Sequence, residues 1–299
     1  MAPWDKLEGW HNGSEALAIN NTRTRRILTR LAVRATRLLR PKSCCGSCVS
    51  ISKRLVVKTG LMVHLEEAAA MRFVAEHAPG VPVPRVHCAF VHKDMAYIVQ
   101  DRVQGEMLAS VWKRLRSDDQ AWTNVLGSLR RILEELRSIK PPPGAGVQSS
   151  TGGSLRDPRN TRAFPRMGPF KSVQEFHVWL RDGLQPPVER PDSAVSTLTD
   201  DEWRELDEMV ALQDAKPEPE LVFTHGDLNL ANIMIIGDKV SGIIDWETAG
   251  FYPDYWEYTS AFTVSFMIEE WQKDIDKFLQ PYPDALRMER TRRRWWGEI

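Results

Sequence analysis

The segment His225-Gly226-Asp227-Leu228-Asn229-Leu230-Ala231-Asn232, followed by Ile244-Asp245-Trp246, constrains this chain more tightly than any other part of it. Between the two motifs, apolar runs at 233–236 and 240–244 flank Gly237-Asp238, the pattern of a β-hairpin. A polar loop just before a hairpin and an acid just after it lie at the same end of the two strands. Asp227, Asn232 and Asp245 therefore converge, although they are up to 18 positions apart. Two carboxylates and an amide oxygen suit Mg²⁺, a hard cation that takes oxygen ligands alongside phosphate oxygens. An acid held beside a metal-bound nucleotide, but not ligating the metal, can orient a hydroxyl and accept its proton.

This ordered set resembles the catalytic core of the protein-kinase-like superfamily, in its aminoglycoside-phosphotransferase and choline-kinase branch. His225, Asp227, Leu228 and Asn232 match the kinase loop H-R-D-L-x-x-x-N, with Gly226 in place of Arg. Asp245 falls where the Asp of the kinase D-F-G motif belongs, with Trp246-Glu247 replacing Phe-Gly. Gly226 and the form IIDWE both look like the small-molecule branch. GPFKS (168–172) and GFYPDYWEY (250–258) are similar to a large fungal group within it, and the resemblance spans roughly residues 47–296.

The resemblance implies an α+β, bilobal kinase-like fold, with a small antiparallel-sheet lobe carrying one helix and a larger, mainly helical lobe. Its expected units are a basic helical extension (1–40), a nucleotide-binding lobe (41–103) and a catalytic and substrate-binding lobe (104–299). It implies transfer of the γ-phosphoryl of ATP, with GTP as an alternative, to a hydroxyl of a small molecule with Mg²⁺. Asp227 would then be the catalytic base, and His225 would buttress its loop by hydrogen bonding. Asn232 and Asp245 would hold the metal. Lys58 would contact the α/β-phosphates, paired with Glu67, and the hinge around Gln100, Asp101 and Val103 would offer backbone groups to the base.

The residues upstream carry the matching pattern. Residues 47–58 alternate and are rich in β-branched side chains, which suggests one or two strands ending near Lys58. Helix formers fill 64–78, up to Pro79-Gly80, so Glu67 lies on a helix. Residues 87–103 read as a hairpin turning at Lys93-Asp94. Further on, apolar residues recur at helical spacing over 119–140, and helical patterns return at 172–182, 200–213 and from 254 to the end. The Pro- and Gly-rich stretch 141–170 is too long for a plain connector and is expected to shape the acceptor pocket.

Three departures bear on the chemistry. No G-x-G-x-x-G precedes Lys58; residues 43–50 offer small side chains and one glycine, Gly46. The second residue after Asp227 is Asn229 where protein kinases usually place Lys, which argues against a protein substrate. Related antibiotic kinases often show a supporting Asp after the metal Asp; here Asp254, Trp256 and Glu257 occupy that region, and the pattern does not choose among them. A nucleotide-binding module of the same fold without turnover is the rival reading, favoured by the glycine-poor loop.

Forty basic and 40 acidic side chains in 299 residues give zero net charge, which excludes a uniformly polyanion-binding chain. The balance is uneven: residues 1–60 hold 12 basic side chains against Asp5, Glu8 and Glu15, a net of +9, so the remainder carries −9. No specific nucleic-acid partner is expected, although the Arg-rich segment 23–40 and Arg287–Arg294 could meet a polyanion or an anionic membrane. No run is apolar enough to span a bilayer, and the first ten residues lack a signal-peptide core. Residues 16–42 have the composition of a transit peptide, but acids precede them, and a cytoplasmic location is the expectation. Cys44, Cys45, Cys48 and Cys88 lack zinc-site spacing and read as reduced structural thiols.

Overall fold

The β-branched run Leu55–Gly60 (β3) forms the middle of a five-stranded antiparallel sheet in the computed structural model, which describes residues 10–160, 166–185, 198–265 and 268–297. The expectations that touch residues 1–9, and the part of the long loop at 161–165, lie outside those residues. The sheet runs β1 (Cys44–Cys45), β2 (Cys48–Ser50), β3, β5 (Met95–Asp101), β4 (Val86–His92). Lys93 and Asp94 turn the β4–β5 hairpin with φ of 50° and 57°, the left-handed pair that suits the twist of a two-residue loop. At the outer edge Ile19 adds a bridge to Ala89.

Alternation assigns the two faces of this sheet. Val49, Val57, Cys88, Phe90 and Val99 form one cluster with Val33 of helix α1 (Arg23–Leu39). Ala89, Ala96 and Ile98 point the other way, into a core with Leu65 and with Ala68, Met71 and Val74 of helix α2 (Glu66–His77). The basic segment therefore packs across the back of the small sheet, and α2 packs across its cleft side.

The second core cluster continues into the helical part of the chain. Helix α3 (Leu108–Arg116) is followed by α4 (Asp119–Arg137), which buries Trp122, Val125, Leu126, Leu129, Ile132, Leu133 and Leu136 along one stripe. Asp118 caps α4 by accepting from the amides of Gln120 and Ala121. Helix α5 (Val173–Leu180), α6 (Asp200–Gln213) and α9 (Pro283–Trp296) enclose a further cluster of Phe176, Leu206, Val210, Trp256 and Met288. The helical pattern after 254 is divided into α7 (Trp256–Val264), α8 (Glu269–Ile275) and α9.

Strand β6 (Glu106–Met107) joins the expected hairpin of β8 (Ile233–Ile236) and β9 (Lys239–Ile243). Two strands that the residue pattern does not announce frame the His225–Asn232 motif. β7 (Leu221–Thr224) ends at His225 and pairs antiparallel with β10 (Gly250–Pro253), in the register Thr224↔Gly250. Four residues are too few for a period to show, and the apolar residues Leu221 to Phe223 and Phe251-Tyr252 run together without alternation.

Phe73 of α2 lies 5.1 Å from the ring of Phe223 on β7 and 5.9 Å from that of Phe251 on β10. This aromatic group joins the small lobe to the strands that hold the motif. Phe223→Ala is expected to lower the unfolding free energy by about 3–5 kcal/mol in urea titration, from lost burial and the cavity left behind.

Candidate active site

The turn after β7 is built so that its backbone has left-handed geometry at one point. Gly226 has φ +81°, and a Cβ there would lie 3.1 Å from the carbonyl oxygen of Thr248. This explains physically why Gly stands where protein kinases carry Arg. The amides of His225 and Gly226 both donate to the buried carboxylate of Glu257, at 2.7 Å and 3.2 Å. Thr248 closes the turn from the other side, its hydroxyl donating to the His225 carbonyl at 2.7 Å.

His225 is buried, and burial lowers its pKa, so the ring is neutral. Its Nδ1 accepts the Asp227 amide at 3.2 Å, which leaves Nε2–H to donate to the Ile244 carbonyl at 3.1 Å. The ring thus ties the loop before the hairpin to the segment after it. Asp227 Oδ2 accepts from Asn232 Nδ2 at 2.9 Å, and Oδ1 accepts from Asn229 Nδ2 at 3.3 Å. Burial raises the Asp227 pKa; the Arg159 guanidinium works against that rise and Asp245 adds to it.

Lys58 crosses the cleft from β3. Its Nζ lies 2.8 Å from Glu67 on α2, 2.6 Å from Asp245 and 3.4 Å from Glu247. Burial alone would favour the neutral amine, but the three carboxylates outweigh it and hold the ammonium charged well above its ordinary range. Burial and the two other acids push Glu67 up to about 7, against the attraction of Lys58. Arg156 offsets part of the excess negative charge, reaching Glu247 at 3.1 Å.

Asp245 has φ +67° and its side chain is 38% exposed, so it faces open cleft. Ligand oxygens of Glu67, Asp245 and Glu247 lie within 4.8 Å of one another. Because Asn232 spends its amide NH₂ on Asp227, its Oδ1 remains available as an acceptor. This all-oxygen donor set fits Mg²⁺, with Asp245 and Asn232 as the ligands expected from sequence and Glu247 beside them.

At the exit of β5, Gln100 is buried, in register with Val56, on the same sheet face as Lys58. The Asp101 carboxylate turns away to His87 at 2.7 Å, and its amide is taken by the Arg85 carbonyl. The Val103 amide makes no hydrogen bond among the described residues, which leaves it free for a ligand. The glycine-poor segment is a tight hairpin turning at Gly46 and Ser47, with Cys48 in register with Lys58, and all four cysteines are free.

The match to known proteins agrees with this geometry. Residues 63–296 fit the model of the phosphotransferase enzyme family. The chain belongs to that family. An aminoglycoside 3′-phosphotransferase of Enterococcus faecalis is 36% identical over 77 residues, which are 25% of this chain and 27% of that protein. The chain thus aligns with about a quarter of that relative's length. The solved structure of aminoglycoside phosphotransferase APH(4)-Ia covers 88% of each chain at 16% identity, with a TM-score of 0.51. A ternary complex of its thermostable mutant with AMP-PNP and hygromycin B covers 80% of this chain and 76% of that one, at 17% identity and a TM-score of 0.50. At such identities the likeness is one of fold: bilobal, α+β and kinase-like.

Three residues of the site are not singled out by sequence. Glu257 is one of three candidates in its region, and the structure gives it the loop-supporting place; Asp254 instead accepts from Tyr282 at 3.1 Å. Glu247 is visible only as the last letter of IIDWE. Arg159, held by Asp157 at 2.7 Å, has no motif to mark it. Glu257→Ala would leave two buried amides without acceptors, each costing about 1–3 kcal/mol. A fall in melting temperature larger than that of Glu257→Gln is the expected result. Gly226→Ala should also destabilise the protein, lowering its unfolding free energy by about 1–2 kcal/mol for a forced left-handed φ.

Proposed function

We propose that this phosphotransferase moves the γ-phosphoryl group of a nucleoside triphosphate, ATP or alternatively GTP, to a hydroxyl of a small molecule. One observation carries this reading: Lys58, Glu67 and Asp245 meet around a single ammonium, beside a loop that presents Asp227. In this reading the units 41–103 and 104–299 supply the nucleotide side and the catalytic side of the cleft.

Lys58 would turn from Asp245 to the α/β-phosphates while Glu67 keeps hold of it, so the pair positions the nucleotide. Asn232 and Asp245 would hold Mg²⁺, which when bound neutralises charge on the β- and γ-phosphate oxygens. Asp227 would take the acceptor hydroxyl as a hydrogen-bond partner and receive its proton as the hydroxyl oxygen bonds to the γ-phosphorus and the bond from that phosphorus to the bridging oxygen breaks, releasing the nucleoside diphosphate. Asn232 and Asn229 fix the carboxylate, and the neutral His225 fixes the backbone under it. Val103 would offer its amide to the nucleotide base from the hinge, next to Gln100 and Asp101.

The relatives named above are aminoglycoside kinases by name. In this chain the half-buried Arg159 guanidinium acts on Asp227, and its Nη1 has no hydrogen-bond partner among the described residues. Its charge is paired with that of Asp157, and the acids Asp227, Asp245 and Glu247 nearby are compatible with a cationic acceptor such as an aminoglycoside.

The test is turnover of ATP and Mg²⁺ with a library of hydroxyl-bearing metabolites that includes aminoglycosides. Asp227→Asn should lower kcat by about 10²–10⁴-fold with nucleotide binding retained. Asp245→Ala should abolish Mg²⁺-dependent nucleotide binding. A raised Asp227 pKa means the base is lost as pH falls through that value. The acid limb of kcat/KM should therefore lie above the ordinary Asp value of about 3.9 and vanish in Asp227→Asn. ATP binding without any product across the library would instead favour the non-catalytic module, which the single glycine of the β1–β2 turn supports.

A further inference from the structure

Helix α1 presents its apolar side to solvent. The face laid on the sheet buries Thr29, Val33 and Thr36. Away from the protein stand Ile27, Leu28, Leu31, Leu38 and Leu39, exposed by 54% to 80%. These are five of the seven large apolar side chains exposed among the described residues, so the patch is local to this helix. Ile27, Leu31 and Leu38 follow one stripe at i, i+4 and i+11, with Ala35 between, and Leu28 and Leu39 widen it.

The arginines of α1 divide into two sets. Arg25 reaches the His87 carbonyl at 3.4 Å, Arg26 lies over the Phe90 ring at 5.7 Å, and Arg40, just past the helix, donates to the Ile51 carbonyl at 2.9 Å. Those three tie the helix to the sheet. Arg23, Arg30, Arg34 and Arg37 make no hydrogen bond or ion pair among the described residues, and their spacing runs them along one flank of the apolar stripe. Residues 16–42 contain no acid to neutralise them.

From this we infer that α1 is a membrane-docking helix that lies flat in the interface of an anionic bilayer. The leucine and isoleucine side chains enter the acyl boundary, and the four unpaired arginines extend to anionic headgroups. A lipid surface fits better than a protein groove on two grounds. The stripe has no aromatic residue of the kind that anchors protein interfaces, and its charge is of one sign along the whole helix. Docking also leaves the cleft accessible, because α1 covers the Val57 and Val99 face of the sheet whereas Lys58 opens on the opposite face. This inference is independent of the reaction proposed above.

Flotation of the full chain with vesicles decides it. The protein should float with vesicles of phosphatidylcholine mixed with phosphatidylserine and not with phosphatidylcholine alone, and raised salt should release it. Arg30→Gln with Arg34→Gln should weaken partitioning by about 30-fold, from roughly one kcal/mol per basic residue near an anionic surface. Leu31→Glu with Leu38→Glu should abolish it while leaving the thermal melt unchanged, since both side chains are already in water. Absence of binding to the mixed vesicles, or binding that the leucine variant leaves intact, would overturn the proposal. So would a concentration-dependent dimer that the same variant dissolves, which would assign the stripe to a second copy of the chain.

Discussion

A single buried ammonium, that of Lys58, connects parts of the chain that are otherwise far apart in sequence. One cation meets three carboxylates, from helix α2 and from the segment that follows β9. The arrangement is stable only while the lysine stays charged, because removing it would leave the buried Glu67 facing the half-buried Asp245 and Glu247. It also leaves the cleft with more negative charge than its basic side chains neutralise, Arg156 included. In the proposed reading a divalent cation would meet that surplus directly, at Asp245 and Asn232.

Around that point the loop 225–232 is held almost entirely by backbone contacts to buried polar groups. Glu257 takes two amides, Thr248 serves a carbonyl, and the neutral His225 spans from one to the other side of the hairpin. In the kinase pattern, an Arg side chain stands at the position of Gly226. Here the left-handed turn, with Thr248 only 3.1 Å from where a Cβ would stand, disfavours a side chain, and a carboxylate from a later helix holds the loop. Asp227 is consequently placed by a rigid frame rather than by its own packing, which is what a group that must meet a substrate at fixed distance needs.

The residues that could be read in advance were those whose meaning is local. His225, Asp227, Asn232 and Asp245 stand at fixed offsets around a hairpin whose turn residues and apolar runs are visible as letters. Lys58 and Glu67 were legible as the end of a strand and the start of a helix. Helices with strong stripes, such as Asp119–Arg137, were plain for the same reason. What escaped depended on tertiary contact. Strands β7 and β10 are four residues each and their apolar residues run together, so no alternation marks them. Glu257 was indistinguishable from Asp254 until the fold showed which carboxyl meets the loop amides. Arg159 acquires a role only because a long irregular segment folds back beside Asp227. The basic stretch 23–40 was read correctly as helix, yet which of its faces met protein could not be read from amphipathicity, since the polar side turned inward.

The small sheet is closed on both faces, by α2 toward the cleft and by α1 behind it. The match to the family model begins at residue 63, after both α1 and Lys58 have passed. The architectural unit and the matched region are therefore not the same object. The cation at the centre of the cleft is borne on a strand outside the matched region, and the back of that strand is sealed by a helix that the family likeness also leaves out. Any fragment drawn along the line of similarity would lose the lysine, and one drawn just before the first strand would expose Val57, Phe90 and Val99 to water.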